Sequence, residues 1–275
     1  MMVECNDAAG LAAISETIRL HGLEVLVLGK GTNMLISDKG FQGVVVRLSR
    51  GFDFISDEGV GIRAGGITQL PRVANRAAKI GLTGLEFAIA IPATVGGAVR
   101  MNAGAHGSSV SDVLAEAEVF DLKVGELRTL TPADLSMSYR HSALSSTDIV
   151  CSADFQLSDG KREEIAKKMA EYRDHRARTQ PVDAPNAGSM FKNPPSDSAG
   201  RLIEEAGLKG LRVGGAEVSS KHANFFLAHP GSRSQDVHDL MASVQKTVHE
   251  RFGILLMPEV WTIGEFDRAE ELRRE

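Results

Sequence analysis

The stretch GLEFAIAIPATVGGAVRMNAGAHG, residues 84–107, decides which fold this chain adopts. Glycines and alanines crowd around Pro92, Thr94 and Asn102, with apolar residues interspersed among them. Residues with so little side chain allow the backbone to approach a large flat group closely. A tightly packed set of turns explains the same composition, so this stretch indicates a ligand only together with a second signal.

The second signal is VLGKGTNMLISDKG, residues 27–40, in which an apolar strand runs into Gly29 and Gly31. Glycines after a strand expose consecutive backbone N–H groups, and such a nest binds phosphate. The spacing matches neither GxGxxG nor GxxxxGK[ST], and the apolar MLISD follows where those motifs have a helix. A plain turn between two strands is the alternative. Two glycine-rich segments in one chain favour a nucleotide cofactor.

The composition is that of a globular protein. Hydrophobic residues make up 43% and charged residues 24% of the 275 positions, which excludes a disordered, collagenous or coiled-coil chain. The length predicts two or three small lobes rather than one core. The net charge of -5 argues against binding to nucleic acid or to an anionic membrane surface, whereas local basic clusters are compatible with an anionic small molecule.

Targeting and metal-binding signals are absent from the sequence. No apolar run approaches the roughly 20 residues of a membrane span, and MMVECNDAAG lacks the features of a signal peptide. We therefore expect a cytoplasmic protein with no membrane partner. Cys5 and Cys151 have no second Cys or His at metal-ligand spacing, so we expect two reduced thiols and no metal. The sequence carries no signal for an oligomeric state.

Hydrophobic periodicity predicts a mixture of strands and helices. Strands are predicted at 25–28, 44–48, 115–120 and 149–157, the last with alternate residues turned inward. Helices are predicted at 69–80, 161–178 and 235–252, with starts near Pro71 and Ser234 and ends at Gly81 and Gly253. A strand at 254–263 and a charged tail or short surface helix at 265–275 complete the chain.

Six segments of the chain carry a resemblance to a known family. They are, in chain order, VLGKGTNMLISDKGFQGVVVRL, GLEFAIAIPATVGGAVRMNAGAHG, SYRHSAL, NAGSMFKNP, AGRLIEEAGLKGLRVGGAEVSSKHANF and PEV. Each alone is weak evidence, whereas the ordered set, from about Gly22 to Gly264, is highly specific. The chain thereby resembles the UDP-N-acetylenolpyruvoylglucosamine reductase family, the flavoenzymes called MurB.

The resemblance implies an α+β fold with a bipartite FAD-binding domain of two α/β lobes and a separate, smaller α+β substrate-binding domain. The lobes would be residues 1–50 and 51–160, the second completed by 254–275, and the substrate domain 161–253. The implied reaction is reduction of the enolpyruvyl ether of UDP-N-acetylglucosamine to UDP-N-acetylmuramate, in peptidoglycan precursor synthesis. NADPH would be the hydride donor, FAD the non-covalent cofactor, and a small UDP-sugar the substrate.

Three residues receive catalytic roles through this resemblance. Arg140, in the YR motif, would hold the substrate carboxylate and stabilise the charge that develops during reduction. Ser189, in AGSMFKNP, would donate a proton, which a hydroxyl does only when its neighbours position it. Glu259, in PEV, would act with Arg140 on the same developing charge. Without the resemblance, Arg140 is most simply a surface arginine and Ser189 an ordinary loop residue. A solvent-facing Glu259 on an edge strand is then about as well supported as a buried one.

The resemblance also implies binding residues. The pyrophosphate of FAD would lie on Gly29, Lys30, Gly31, Thr32 and Asn33, where backbone N–H groups neutralise it without side-chain charge. The second flavin-lining segment would comprise Ala93, Thr94, Gly96, Gly97, Asn102, Ala103 and Gly104. The substrate would be bound by Arg178, Asn193 and Lys221, whereas His222 is expected to be a structural histidine.

Three departures from the family pattern affect these expectations. The family usually has additional residues before the first strand, which bears on FAD affinity. Ala93 stands where glycine is common, and alanine would cost about 1 kcal/mol if that position required a positive φ. Residues 149–161 leave no room for the substrate-covering loop of one branch, so the shorter branch is the better comparison.

Two alternative functions fit the same flavin fold. One is an oxidase, in which reduced flavin reacts with oxygen. The other is a catalytically inactive flavin- or nucleotide-binding protein, against which the joint presence of Arg140, Ser189 and Glu259 argues.

Overall fold

The computed structural model describes residues 1–267, in which short strands alternate with helices. The helices are α1 (Ala8–His21), α2 (Leu70–Ile80), α3 (Val95–Arg100), α4 (Arg162–Thr179), α5 (Ala199–Glu205) and α6 (Ser234–Phe252). The strands are β1 (Met2–Cys5), β2 (Val25–Val27), β3 (Met34–Ile36), β4 (Val44–Leu48), β5 (Ile55–Glu58), β6 (Gly61–Gly65), β7 (Leu82–Thr83), β8 (Gly104–Ala105), β9 (Ser108–Ser109), β10 (Leu114–Asp121), β11 (Glu126–Leu130), β12 (Asp148–Gln156), β13 (Ser158–Asp159), β14 (Arg212–Val213), β15 (Ala216–Val218), β16 (Phe226–Ala228) and β17 (Trp261–Ile263). Of the predicted charged tail, residues 268–275 lie outside the described residues.

The chain divides into two units of contiguous packing. Unit 1 comprises Met1–Gly31 and Gly43–His175, and unit 2 comprises Thr32–Gln42 and the chain from Arg176 onward. The C-terminal segment differs from the sequence-based prediction, which placed it in the second FAD lobe. Its strand β17 instead pairs in parallel with β3 in unit 2. A parallel pairing joins distant parts of the chain, so local sequence patterns do not specify it.

Unit 1 contains a three-stranded and a five-stranded sheet, each with its own hydrophobic core. The parallel sheet β1-β4-β2 packs on α1, whose Leu11 and Ile14 are buried against Val46. The antiparallel sheet β11-β10-β12-β6-β5 packs on α2 and α3 through a second core that contains Val73 and Phe155. These sheets position the two glycine-rich segments, because one segment follows β2 and the other leads into α3.

Strand β12 is buried on both faces, which corrects the predicted one-sided alternation. Residues 148–153 are all buried, and the strand lies between β10 and β6. Ile149 and Cys151 pack in the core around α1, whereas Val150 packs in the core around α2 and α3. Both cysteines are free thiols, as predicted, and burial raises the pKa of the Cys151 thiol to about 12. Neither thiol is therefore activated as a nucleophile.

The long amphipathic helices agree with the sequence-based predictions except at one cap. Helix α2 begins after Gln69 and ends at Gly81, whose φ of 83° is the left-handed conformation that glycine favours. Helix α6 begins one residue earlier than predicted, with Arg233 at the N-cap. Ser234 does not cap this helix, because its hydroxyl accepts a hydrogen bond from the Asp38 backbone N–H at 2.9 Å.

Unit 2 is built around α6. The antiparallel sheet β14-β15-β16 packs against it, and Phe191, Leu202, Val218, Leu240 and Val244 form the centre of this core. None of the helices within residues 1–267 combines the length and the apolar character that a membrane crossing requires. The same residues contain no cluster of three or more His, Cys, Asp or Glu side chains that is arranged to hold a metal ion.

Candidate active site

The first glycine-rich loop lies directly against the second glycine-rich segment in unit 1. Leu28 extends strand β2, donating its N–H to the Val46 carbonyl at 2.9 Å, and the chain then turns at Gly29. A Cβ atom added at Gly29 would lie only 2.9 Å from Oγ1 of Thr94. Glycine is therefore required for this close approach. The structure thus brings together two segments that the sequence indicated separately.

The backbone of the first loop offers hydrogen-bond donors. Within residues 1–267, the N–H groups of Gly29, Lys30 and Gly31 have no protein acceptor. Gly31 adopts a left-handed φ of 72°, and the Lys30 side chain is exposed. Consecutive backbone donors beside a left-handed glycine suit an anion such as a pyrophosphate. This donor set, together with the close contact at Gly29, fits the phosphate end of a nucleotide cofactor.

The second segment uses most of its small residues for packing inside unit 1. Thr94 caps α3, its hydroxyl accepting from the Gly97 N–H at 3.3 Å. The Gly96 N–H donates to the Gly66 carbonyl at 2.8 Å, and a Cβ at Gly96 would lie 3.1 Å from that oxygen. These two N–H groups are engaged within the protein, so the glycines act here by allowing close backbone packing.

Ala93 is not strained by the replacement of glycine. The non-glycine residues with positive φ among the described residues are Asn102, His106, Ser136 and Arg140. Ala93 is not one of them, and its carbonyl accepts the Leu70 N–H at 2.9 Å. The cost that a positive φ would have imposed therefore does not arise at this position.

Arg140 is held beside the second segment in a strained conformation. Its φ is 54°, and its guanidinium donates to the Gly104 carbonyl at 2.8 Å. Asn102, with a φ of 39°, donates through Nδ2 to the Ser138 carbonyl at 3.0 Å. Such non-glycine conformations cost on the order of 1–3 kcal/mol each and concentrate at functional sites. The YR motif and the segment 102–104 therefore form one connected site in unit 1.

Ser189 and Glu259 lie on adjacent backbone segments in unit 2. The Glu259 N–H donates to the Met190 carbonyl, and the Lys192 N–H to the Met257 carbonyl, both at 2.8 Å. Ser189 itself pairs with Phe225 on the other side. Both Ser189 and Glu259 are half-buried. The structure therefore fixes the backbones of these two candidates relative to each other through a single antiparallel pairing.

The predicted pyrophosphate loop is divided between the two units. Gly29, Lys30 and Gly31 belong to unit 1, whereas Thr32 and Asn33 belong to unit 2. Asn33 supports the segment that carries Glu259, since its Nδ2 donates to the Glu259 carbonyl at 3.2 Å and its own carbonyl accepts the Trp261 N–H at 3.0 Å. Asn33 therefore stabilises a predicted catalytic segment within unit 2.

The predicted substrate residues all lie in unit 2 and differ in the hydrogen bonds that their side chains make within the protein. The Asn193 side chain accepts the Ala199 N–H at 3.0 Å, at the start of α5. The Lys221 ammonium donates to the Ala177 carbonyl at 2.6 Å, near the end of α4. Arg178 is exposed. Asn193 and Lys221 thus have clear structural partners, while Arg178 presents its guanidinium to solvent.

His222 has the structural role expected for it. Its Nδ1 accepts the Asn224 N–H at 3.2 Å, which requires a ring without a proton on that nitrogen. Burial lowers the pKa of the His222 imidazole, with the charge of Lys209 acting in the same direction. The histidine is therefore neutral at pH 7 and organises the turn that precedes Phe225.

Two aromatic residues of unit 1 lie beside the candidate site, although the sequence assigns neither of them a role. Tyr139 lies beside Arg140, with the guanidinium carbon 5.1 Å from the ring centroid. Tyr172, on α4, stacks on His106 with a centroid distance of 3.8 Å and nearly parallel planes. The sequence signal for Tyr139 is its place in the YR motif, and tyrosine occurs only twice in the chain. Both flank the segment that ends at Gly107.

Comparison with protein families assigns both halves of the chain. Residues 1–131 match a family model described as an FAD binding domain. Residues 180–263 match the C-terminal domain of UDP-N-acetylenolpyruvoylglucosamine reductase. The two matches include every predicted binding and catalytic residue except Arg140 and Arg178.

Individual relatives agree with the family models. The UDP-N-acetylenolpyruvoylglucosamine reductase of Bacillus licheniformis is 43% identical over 267 residues, covering 96% of this chain and 88% of the relative. A second such reductase, from Symbiobacterium thermophilum, is 45% identical over 260 residues, which cover 94% of this chain and 84% of the relative. The crystal structure of the reductase (MurB) from Thermus caldophilus matches with a TM-score of 0.84 at 36% identity. The match covers 96% of this chain and 92% of that structure's chain.

Proposed function

The chain belongs to the UDP-N-acetylenolpyruvoylglucosamine reductase family, and we infer that Arg140, Ser189 and Glu259 carry out the family reaction in it. It is an FAD-dependent NADPH oxidoreductase. Its reaction converts the enolpyruvyl ether of UDP-N-acetylglucosamine to UDP-N-acetylmuramate, a step of peptidoglycan synthesis. The proposal places this reaction in the cytoplasm, with the UDP-sugar as the small-molecule partner.

The backbone N–H groups of the first loop are the main support for the proposed FAD site. Gly29, Lys30 and Gly31 would bind the pyrophosphate of FAD with backbone N–H groups that have no acceptor among the described residues. The segment Ala93, Thr94, Gly96, Gly97, Asn102, Ala103 and Gly104 would line the flavin, Thr94 meeting Gly29 at the base of the loop. When bound, FAD supplies hydride transfer from NADPH to the vinyl carbon of the substrate.

Arg140 and Glu259 are proposed to act on the charge that develops as the vinyl group is reduced. A guanidinium can hold the substrate carboxylate with two parallel hydrogen bonds. The bond from Arg140 to the Gly104 carbonyl occupies part of the guanidinium and fixes its plane. A preorganised charge of this kind stabilises the transition state more than the ground state.

Ser189 is proposed to donate the proton that completes the reduction, at the carbon next to the substrate carboxylate. A serine hydroxyl is a weak acid, so it serves only where its position is fixed. The pairing of Ser189 with Phe225, and of Met190 with Glu259, fixes that backbone. The substrate would be bound by Arg178, Asn193 and Lys221. Arg178 is exposed, and its guanidinium would bind the diphosphate.

A two-step spectroscopic experiment tests this function. Purified protein with FAD should show flavin absorption at about 450 nm, and anaerobic NADPH should bleach it. Addition of the enolpyruvyl UDP-sugar should restore the flavin absorption and yield the lactyl ether, which mass spectrometry detects. Recovery only after admission of oxygen would indicate the oxidase instead. Absence of flavin bands after FAD addition would favour an inactive protein.

The contact between Gly29 and Thr94 leads to a prediction about FAD affinity. Gly29→Ala should force the loop away from Thr94, because the added Cβ would lie 2.9 Å from the hydroxyl oxygen. Overpacking of this kind costs about 1–3 kcal/mol, so the FAD dissociation constant should rise by roughly 5- to 150-fold. Fluorescence titration of the apoprotein with FAD measures the change.

A glycine in a helix of the same unit provides the control for this variant. Gly10 lies in α1, where an added Cβ would meet its nearest neighbour, Asp7 Oδ1, at an ordinary 3.5 Å. Gly10→Ala should leave FAD affinity unchanged and stabilise the helix by up to about 1 kcal/mol. Equal FAD affinity in Gly29→Ala and the wild type would contradict a role for the loop in binding the cofactor.

A further inference from the structure

The side chain of Asn224 makes two hydrogen bonds to one backbone residue in unit 2. Its Oδ1 accepts the Phe191 N–H at 3.0 Å, and its Nδ2 donates to the Phe191 carbonyl at 2.8 Å. Asn224 is only 3% exposed. The orientation of this amide is determined by its partners, because a backbone N–H only donates and a carbonyl only accepts. The carboxamide therefore pairs with Phe191 as a strand backbone would.

The register of the pairing explains why Phe191 needs such a partner. The Met190 carbonyl and the Lys192 N–H bond to the segment Met257–Glu259, and Phe191 lies opposite Pro258. In this arrangement Phe191 and Pro258 form the non-hydrogen-bonded pair, so the N–H and carbonyl of Phe191 point away from that segment. Pro258 loses nothing at such a position, since it has no N–H to offer.

The backbone on the other side of the segment provides only part of the pairing. The Met190 N–H donates to the Asn224 carbonyl at 2.9 Å, and Ser189 pairs with Phe225. The Asn224 N–H is directed to His222 Nδ1 instead of continuing the ladder. The carboxamide of Asn224 thus takes the place of the missing strand at Phe191. Segment 189–192 is thereby held on both edges.

We propose that Asn224 is the positioning residue for Ser189: its carboxamide replaces a peptide group and fixes the segment that carries the proton-donating hydroxyl beside Glu259. This inference rests on the proposed role of Ser189 as the proton donor. Asn224 does not itself contact the reacting atoms in this proposal. It acts through two backbone bonds at Phe191 and one at Met190.

The isosteric variant Asn224→Asp tests the inference most directly. A carboxylate still accepts the Phe191 N–H but faces the Phe191 carbonyl with no proton to donate. A displacement of about 1 Å at a catalytic group costs on the order of 100-fold in rate. We therefore expect reoxidation of the flavin by the UDP-sugar to slow by about that factor, with flavin bleaching by NADPH unchanged.

A double-mutant cycle separates positioning from general destabilisation. In a Ser189→Ala background there is no hydroxyl left to position, so Asn224→Asp should slow reoxidation no further. Asn224→Ser, which leaves space for water at the Phe191 carbonyl, should give the same pattern if the aspartate variant does not fold. A thermal midpoint measured with saturating FAD establishes folding in each case.

Asp236 offers a matched control in the same unit. It is buried, at 4% exposure, and its Oδ2 accepts the backbone N–H groups of Gly215 and Arg233, both at 3.0 Å. Asp236→Asn should lower the thermal midpoint and leave the ratio of the rates of flavin bleaching and flavin reoxidation as in the wild type.

Two outcomes would overturn the inference. One is an equal slowing of both half-reactions in Asn224→Asp, and the other is a full additional loss in the Ser189→Ala background. If Ser189→Ala alone reoxidised at the normal rate, the proposed role of Ser189 would fail first. The single and double variants therefore distinguish failure of the positioning role from failure of the proposed proton donor.

Discussion

Replacement of Ser189 by alanine is expected to leave NADPH bleaching of the flavin intact and to slow its reoxidation by the enolpyruvyl substrate. A positioned general acid contributes about 100- to 10,000-fold, and the loss should fall in that range. The reason is that Ser189 is assigned to the proton transfer that completes substrate reduction. Anaerobic stopped-flow measurements with NADPH, followed by the UDP-sugar, determine the two rates separately.

Two further variants sharpen this experiment. Ser189→Cys keeps a group that can donate a proton, since a free thiol has a pKa of about 8.5, and should recover part of the lost rate. Ser196→Ala removes an exposed serine in the same unit and should match the wild type in both half-reactions. Equal losses in both half-reactions of Ser189→Ala would remove the serine from the proton-transfer step.

Local chemistry accounts for the elements that the sequence predicted correctly. Helix α2 has proline in its first turn and ends at a left-handed glycine, so both ends were specified within the segment itself. The start of α6 was misassigned by one residue because Ser234 forms its hydrogen bond with Asp38, which is distant in sequence. A capping preference read from local sequence does not include such a competing partner.

The larger differences arise from contacts between distant parts of the chain. Strand β12 was predicted to bury one face, which carries Ile149 and Cys151, but Val150 between them is also buried, in the core around α2 and α3. The C-terminal strand pairs in parallel with Met34–Ile36. Parallel strands are not joined by a local turn, so no short sequence signal marks this pairing. Neither arrangement leaves a periodic signal beyond a run of apolar residues.

The candidate site shows the same limit. Gly29 and Thr94 each stood in a segment with a weak signal, and only their contact in the structure explains why glycine is required. The left-handed φ of Arg140 has no sequence signature, because non-glycine residues rarely adopt it. The backbone bond between Glu259 and Met190 is equally non-local. Motif resemblance predicts a role for these residues, while the structure supplies the physical reasons for their placement.

Arg140 and Glu259 should behave as a pair if both stabilise the same developing charge. Removal of one preorganised group in such sites costs about 100- to 1,000-fold in turnover, and Arg140→Lys and Glu259→Gln should each fall near that range. The loss should appear in kcat far more than in KM, because an interaction made mainly in the transition state contributes to the rate constant. Steady-state kinetics with saturating FAD and NADPH measures both parameters.

The double variant provides the test of their coupling. Its loss should be smaller than the product of the two single losses, since groups that serve one charge act as a unit. Arg19→Lys and Glu250→Gln, at exposed positions, serve as charge-matched controls and should change stability by no more than about 0.5 kcal/mol. Normal turnover in Glu259→Gln would exclude that carboxylate from the mechanism. Near-normal turnover in Arg140→Lys would show that a point charge suffices, because lysine keeps the charge of arginine but loses its planar pair of donors.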